Sequence, residues 1–243
     1  MKILKTMLNK NLYSQKGVSI TELAISISII AILIASTFGG ISILKAAKIR
    51  KLATEFTNYK TAVDEFNKQY SHLPGDLPTA SSYWSGAHNG NGDGYVDDAT
   101  TEDLYAWEHL ANAGLIAGTY SGAVVDGSNK YGISTNAINS EAVITGIFSF
   151  YGTQTRVYAT GGHALRLGSL ATGAIPTNGT VVAKDAYSID TKLDDGLASS
   201  GMFYTTRVSS GCTDADSTAN SANYVLSDLT NTTCYLWYWY KKF

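Results

Sequence analysis

Asn89, Asn91 and Asp93 place oxygen-bearing side chains at every second position of the segment His88-Asn89-Gly90-Asn91-Gly92-Asp93-Gly94-Tyr95-Val96-Asp97-Asp98. Gly94 follows directly, where a sharp turn is needed, and Val96 supplies an apolar residue two positions on. Hard oxygen donors at that spacing wrap a hard cation, so the segment reads as the first half of a calcium-binding loop. The acid that would close such a loop is missing, because Thr100 occupies its place. Asp97, Asp98 and Glu102 are the available substitutes. With so little ligand charge, the expected ion is structural calcium, held where calcium is millimolar. The competing reading is an ion-free turn, since Gly, Asn and Asp build tight turns without any metal.

A second acidic cluster, Asp190, Asp194 and Asp195 in the run Ser188–Gly196, offers another place for a cation. Lys192 lies inside it and favours a solvated turn. Catalysis finds little support. The histidines His72, His88, His109 and His163 lack zinc-ligand spacing. Neither a Gly-x-Ser-x-Gly elbow nor a Gly-Lys-Ser/Thr phosphate loop occurs. An enzyme is therefore not expected. The formal net charge of −2 gives no electrostatic case for nucleic acid, whose binding rests on neutralising phosphates with Lys and Arg. Cys212 and Cys234 are the two cysteines. If this part of the chain lies outside the cytoplasm, they read as one disulfide; otherwise they are two buried thiols.

The elements that must carry these groups begin with Val18–Leu44, 27 predominantly apolar residues whose single charge is Glu22. That length spans about 30 Å of hydrocarbon. A carboxylate there costs about 2.5–3.5 kcal/mol on insertion scales, so it needs a purpose. Before it, MKILKTMLNKNLYSQKG holds four lysines, no acid and a final glycine. Lys45, Lys48, Arg50 and Lys51 make the far flank basic too, so the positive-inside rule alone does not orient the helix. An ordinary secretory signal has a shorter apolar core ending at a small-residue cleavage site, which favours a retained helix here.

A basic leader, a glycine, and an acid five residues later heading a long apolar helix resemble a type IV prepilin. That family includes pilins, minor pilins and the pseudopilins of type II secretion. The resemblance implies cleavage between Gly17 and Val18, methylation of the new Val18 amino terminus, and an assembly role for Glu22. It covers roughly the first 70 residues. Two departures stand: Val18 where the family often has Phe, and Gly39-Gly40 where a proline usually bends the helix. The implied partners are other pilin-like subunits, a prepilin peptidase and an inner-membrane assembly platform. The implied location is the bacterial inner membrane, single-pass with the head in the periplasm, and a filament or cell surface after assembly. Pseudopilins commonly bind calcium late in the head, which adds some weight to the Asp190 cluster.

Residues 1–17 are thus expected to be a leader, 18–44 a transmembrane or filament-core helix, 45–70 its amphipathic continuation, and 71–243 a globular head. Leu52, Phe56, Tyr59, Val63, Phe66 and Tyr70 recur at helical spacing, with Lys51, Glu55, Lys60, Asp64 and Lys68 placed elsewhere around the axis. Pro74 and Pro78 end the helix. A short helix is expected after a Thr101 cap, with Gly114 as its stop. Strands are expected over 143–151, 155–160, 180–187 and 201–208. The terminal CYLWYWYKKF reads as a last strand in the sheet core or as an exposed contact surface. The fold class is α+β: a long N-terminal helix packed on a mainly antiparallel β-sheet head. The functional alternative to a filament subunit is a membrane-anchored extracytoplasmic binding or adhesion module whose helix stays uncleaved.

Overall fold

The computed structural model describes residues 17–97, 100–125, 130–132, 135–157, 160–170, 176–207, 211–214, 222–227, 231 and 234–242. The chain divides into two units, Met1–Lys45 and Ala46–Phe243. Helix α1 (Ile20–Tyr70) begins in the first and ends in the second.

Within the first unit, α1 presents its apolar side chains outward, among them Ile25, Ile29, Leu33 and Ile41. Its hydroxyls are satisfied from within. Ser26, Ser28 and Ser36 donate to the carbonyls of Glu22, Ala24 and Ile32, each four residues back. Thr37 and Ser42 donate three residues back. Such bonds hide the polar atoms against the backbone, so the helix surface stays compatible with hydrocarbon. By length and composition this helix can cross a membrane. It remains helical through Gly39 and Gly40.

In the second unit the expected stripe faces inward: Leu52, Phe56, Val63 and Phe66 are buried. They pack on a five-stranded antiparallel sheet formed by β1 (Ile138–Asn139), β2 (Ile147–Val157), β3 (Thr160–Gly168), β4 (Phe203–Arg207) and β5 (Cys234–Lys242), in the order β1-β2-β3-β5-β4. Phe56 touches three of these strands, with ring centroids 5.1 Å from Phe148, 5.6 Å from Phe203 and 5.9 Å from Tyr238. In chain order α2 (Ala80–Tyr83) and α3 (Glu102–Asn112) follow α1 and come before the first strand, and α4 (Ala183–Leu193) precedes β4. Trp107 of α3 sits 4.4 Å from Phe150 of β2.

The aromatic C-terminus is a strand in the sheet core. Alternation sends Leu236, Tyr238 and Tyr240 to the α1 face, and Tyr235, Trp237 and Trp239 to the other. Register places Arg166 between Ser149 and Trp237, and its guanidinium lies over the rings of Tyr151 at 4.7 Å and Trp237 at 5.4 Å. Cys212 and Cys234 form a disulfide that ties the start of β5 to the segment after β4.

Four expectations change. Residues 180–187 are not a strand: Val181 makes one bridge to Cys234, and α4 then begins at Ala183. Ala183, Ala186, Ile189 and Asp190 are buried at helical spacing, so tertiary burial outweighs the β-branched start Thr180-Val181-Val182. Thr101 does not cap α3 with its side chain; it adopts φ 68° and bonds to the Thr100 carbonyl. β3 was not expected, and residues 155–157 continue β2 as one strand. Glu55, expected elsewhere around the helix, is buried; it accepts from Ser140 Oγ at 2.6 Å, Glu141 N at 2.8 Å and Ala142 N at 3.1 Å. That carboxylate fastens α1 to the loop before β2. Gly114 stops α3 as expected, with φ 71° and its N–H on the Ala111 carbonyl.

Candidate functional site

Three places gather the residues singled out by sequence. The first is the head of α1, where Gly17, Val18 and Glu22 line one open depression with Ile25 and Ser26. The Ser19 N–H donates to Glu22 Oε2 at 2.9 Å, and Ser19 Oγ accepts from Thr21 N at 3.3 Å. Ser19-Ile20-Thr21-Glu22 is an S-x-x-E sequence, and its glutamate closes half of a capping box. Glu22 therefore has a local task, satisfying a donor that helix geometry leaves free. The spacing from Ser19 to Glu22 was the signal for it.

The second place lies where the chain leaving α1 meets α3. Ser71 adopts φ 59°, Pro74 follows, and Gly75 adopts φ 94°. A Cβ at Gly75 would stand 2.3 Å from the Glu102 carbonyl oxygen, and one at Gly90 would stand 2.3 Å from the Gly75 carbonyl oxygen. Only glycine permits three segments to approach so closely. His109 of α3 holds the crossing: its Nδ1 accepts from Gly75 N at 2.9 Å, and its Nε2 meets the His88 carbonyl at 2.7 Å. These two bonds require a neutral ring protonated on Nε2. Burial pushes its pKa down to about 4.

The crossing brings Asp76, Asp93 and Glu102 together, with one oxygen from each lying within 4.8 Å of the others. Asp76 and Glu102 are each 1% exposed, whereas Asp93 reaches solvent. Backbone donors hold each buried carboxylate, with Gly92 also acting on Asp76 and the Thr100 hydroxyl on Glu102. Gly94 N–H donates to Asp76 Oδ2 at 3.0 Å, and Asn91 N–H to Glu102 Oε1 at 2.8 Å. The other oxygens, Asp76 Oδ1 and Glu102 Oε2, are buried without a hydrogen-bond partner among the described residues. Burial raises both pKa values, that of Glu102 to about 7, and the neighbouring carboxylates push in the same direction. Asp103, the next residue of α3, shows the contrast. It is as deeply buried, but it has Lys130 Nζ at 2.8 Å and the Tyr131 hydroxyl.

Only part of the expected loop converges here. Asn91 borders the group, its amide donating to Asp93 Oδ2 at 3.1 Å and its Oδ1 accepting from Asp93 N at 2.8 Å. Asn89 instead accepts from Ser81 N at 2.8 Å. Asp97 accepts from Thr100 N and Oγ1, both at 2.8 Å. Asp98 lies outside the described residues. Asp76 was missed because Leu73-Pro74-Gly75-Asp76-Leu77-Pro78 reads as a helix stop; the acid between apolar residues and prolines was the available signal.

The later cluster also forms, since Asp190, Asp194 and Asp195 bring oxygens within 4.8 Å of one another. Its carboxylates close the turn after α4. Asp190 accepts from Gly196 N at 3.1 Å and from the Tyr224 hydroxyl at 2.7 Å. Asp194 Oδ2 accepts from the N–H groups of Met202 and Phe203, and Asp195 from Leu197 N and Ser200 Oγ. Burial, ahead of the neighbouring charges, raises the Asp190 pKa to about 7.

Set against protein-family models, curated proteins and solved structures, the chain matches none of them.

Proposed function

We infer that this chain is a structural subunit of a type IV pilus-like or type II secretion filament, a minor pilin or pseudopilin. The observation that carries this reading is the junction Gly17-Val18 followed by Glu22 at the head of a helix whose first half, as far as Leu44, presents its large apolar side chains outward. A helix of that kind is soluble only in lipid or among copies of itself. In the membrane it stores the subunit, with the head held in the periplasm. On assembly, helix–helix contacts replace lipid contacts in the filament core.

Leader cleavage by a prepilin peptidase and methylation leave a cationic amino terminus at Val18. Glu22 then pairs with that terminus on a neighbouring subunit, in a medium where removing one partner of a buried pair costs about 3–5 kcal/mol. The other partners are sister subunits and an inner-membrane assembly platform. The role is mechanical and needs no catalytic group.

One observation favours a second reading. The capping bond from Ser19 gives Glu22 a purpose without any neighbour. A membrane-anchored extracytoplasmic binding module, with its helix uncleaved, is then the alternative. Intact mass and N-terminal sequencing of the protein from its native membrane separate the two. A chain beginning at N-methylated Val18 supports the filament subunit; a chain that retains the residues before Val18 overturns it.

A further inference from the structure

The geometry points to one calcium ion bound by Asp76, Asp93 and Glu102, at the crossing of the post-α1 segment, the 88–97 loop and the start of α3. Three carboxylates supply oxygen donors only, the ligand set that hard divalent cations take and softer metals do not. Two of the three are almost fully buried, and each keeps one oxygen without a hydrogen bond among the described residues. A buried carboxylate oxygen left unpaired is costly, and native proteins seldom tolerate even one such group. Two of them, in mutual reach of a third carboxylate, gather negative charge that His72, Thr100 and the nearby backbone N–H groups offset only in part, since both pKa values still rise.

No lysine or arginine approaches this group among the described residues that act on Asp76 and Glu102, whereas the adjacent Asp103 has Lys130. The free oxygens are also fixed in advance. Gly94 and Asn91 hold the opposite oxygen of each carboxylate, and the glycines at 75 and 90 fix the crossing that brings the three acids together. Asp93 stands at the solvent edge, and a hollow lined by Ser71, His72, Asp76, Gly92, Asp93 and Gly94 opens beside it. An ion therefore has a path in and room for water ligands.

Calcium suits this arrangement better than magnesium. It accepts six to eight oxygens in irregular geometry, while magnesium demands a near-ideal octahedron and gives up its waters reluctantly. The later Asp190 cluster differs, because five of its six carboxylate oxygens already accept hydrogen bonds. The inference does not depend on whether the α1 helix assembles or merely anchors.

The test is calcium titration of the full-length protein in detergent after chelator treatment, followed by calorimetry and thermal unfolding. One calcium per chain is expected, with a dissociation constant of roughly 10⁻⁴–10⁻³ M or tighter. Tm should rise with calcium and respond little to equal magnesium. Glu102→Gln should weaken binding at least about tenfold, yet unfold in chelator no earlier than the parent, because an amide relieves the repulsion among three acids. Asp93→Asn, an exposed change with little risk to folding, should weaken binding as well. The assignment is overturned by any of three results: no calcium response in the parent, an equal response to magnesium, or an unchanged calcium response in both variants. Binding lost in Asp190→Asn but kept in Glu102→Gln would also overturn it.

Discussion

Acid should loosen the head through His109 before it protonates most carboxylates. The ring is locked neutral, with Nδ1 accepting from Gly75 and Nε2 donating to the His88 carbonyl. Adding a proton to Nδ1 places two donors face to face and puts a charge in a buried site. The pKa accordingly falls from 6.5 to about 4 through burial, which outweighs the hydrogen bond to the His88 carbonyl that favours the charged ring. An unfolded chain has no such constraint, so between pH 6.5 and 4 it binds more protons than the folded one. The stabilisation is intact above pH 6.5 and is lost as pH falls toward 4. A shift of that size corresponds to about 3 kcal/mol in full, and most of it is gone by pH 4.5.

The assay is denaturant unfolding of the full chain in detergent, with chelator present, at pH 7.5 and 4.5. His109→Gln serves as the non-titrating reference, since its amide carries both a donor and an acceptor. The parent should lose about 2–3 kcal/mol more than the variant between the two pH values. A titration of the imidazole proton resonances should place His109 near pH 4. An equal pH slope in the parent and His109→Gln, or a His109 that titrates near 6.5, would refute the argument from a locked tautomer.

Phe56→Ala removes a ring that meets Phe148, Phe203 and Tyr238 at once, so it should cost about 3–5 kcal/mol of head stability by denaturant unfolding. A loss under 1 kcal/mol would mean that α1 does not seat on the sheet through this residue. Replacing Cys212 and Cys234 together by serine opens a crosslink spanning 22 positions, for about 3 kcal/mol on the loop-entropy account. Unfolding with and without reductant checks this, and an unchanged midpoint would contradict it.

The legible part of the fold was what neighbouring residues decide among themselves. The stripe from Leu52 to Tyr70, the stop at Pro74, the glycine after α3 and the alternation of the terminal aromatics all express a local period or a backbone restriction. Thr180-Val181-Val182 failed because its β-branched start is also local, while the burial of Ala186, Ile189 and Asp190 that makes α4 is set by distant strands. β3 escaped because its Gly161-Gly162 start resembles a turn, although Ala164, Leu165 and Leu167 are fixed by pairing on both sides.

The candidate site divides in the same way. Spacing found Asp93 and the neighbouring Asn91, but Asp76 is 17 positions earlier in sequence and meets Asp93 only because Gly75 and Gly90 let two segments cross. The linear loop pattern pointed to the stretch that supplies Asp93, while the acids that gather around it are partly different residues. No periodicity could have supplied Asp76, because its partnership is created by the fold.

Glu22 carries two explanations that one pair of substitutions can divide. As a helix cap it needs only an oxygen near the Ser19 N–H, and glutamine provides that oxygen as well as glutamate does. As the partner of a cationic Val18 terminus on a neighbouring subunit it needs a negative charge, which glutamine lacks. Glu22→Ala removes both functions and therefore cannot separate them. Glu22→Gln keeps the cap and removes the charge. If the filament reading holds, glutamine and alanine should impair incorporation into filaments to a similar degree, with cell-associated subunit and head folding unchanged for both. If the acid only caps the helix, glutamine should behave as the parent does. The comparison is read by counting subunit in sheared filament fractions against subunit retained in membranes, and a normal yield from Glu22→Gln would leave the intersubunit pair without support.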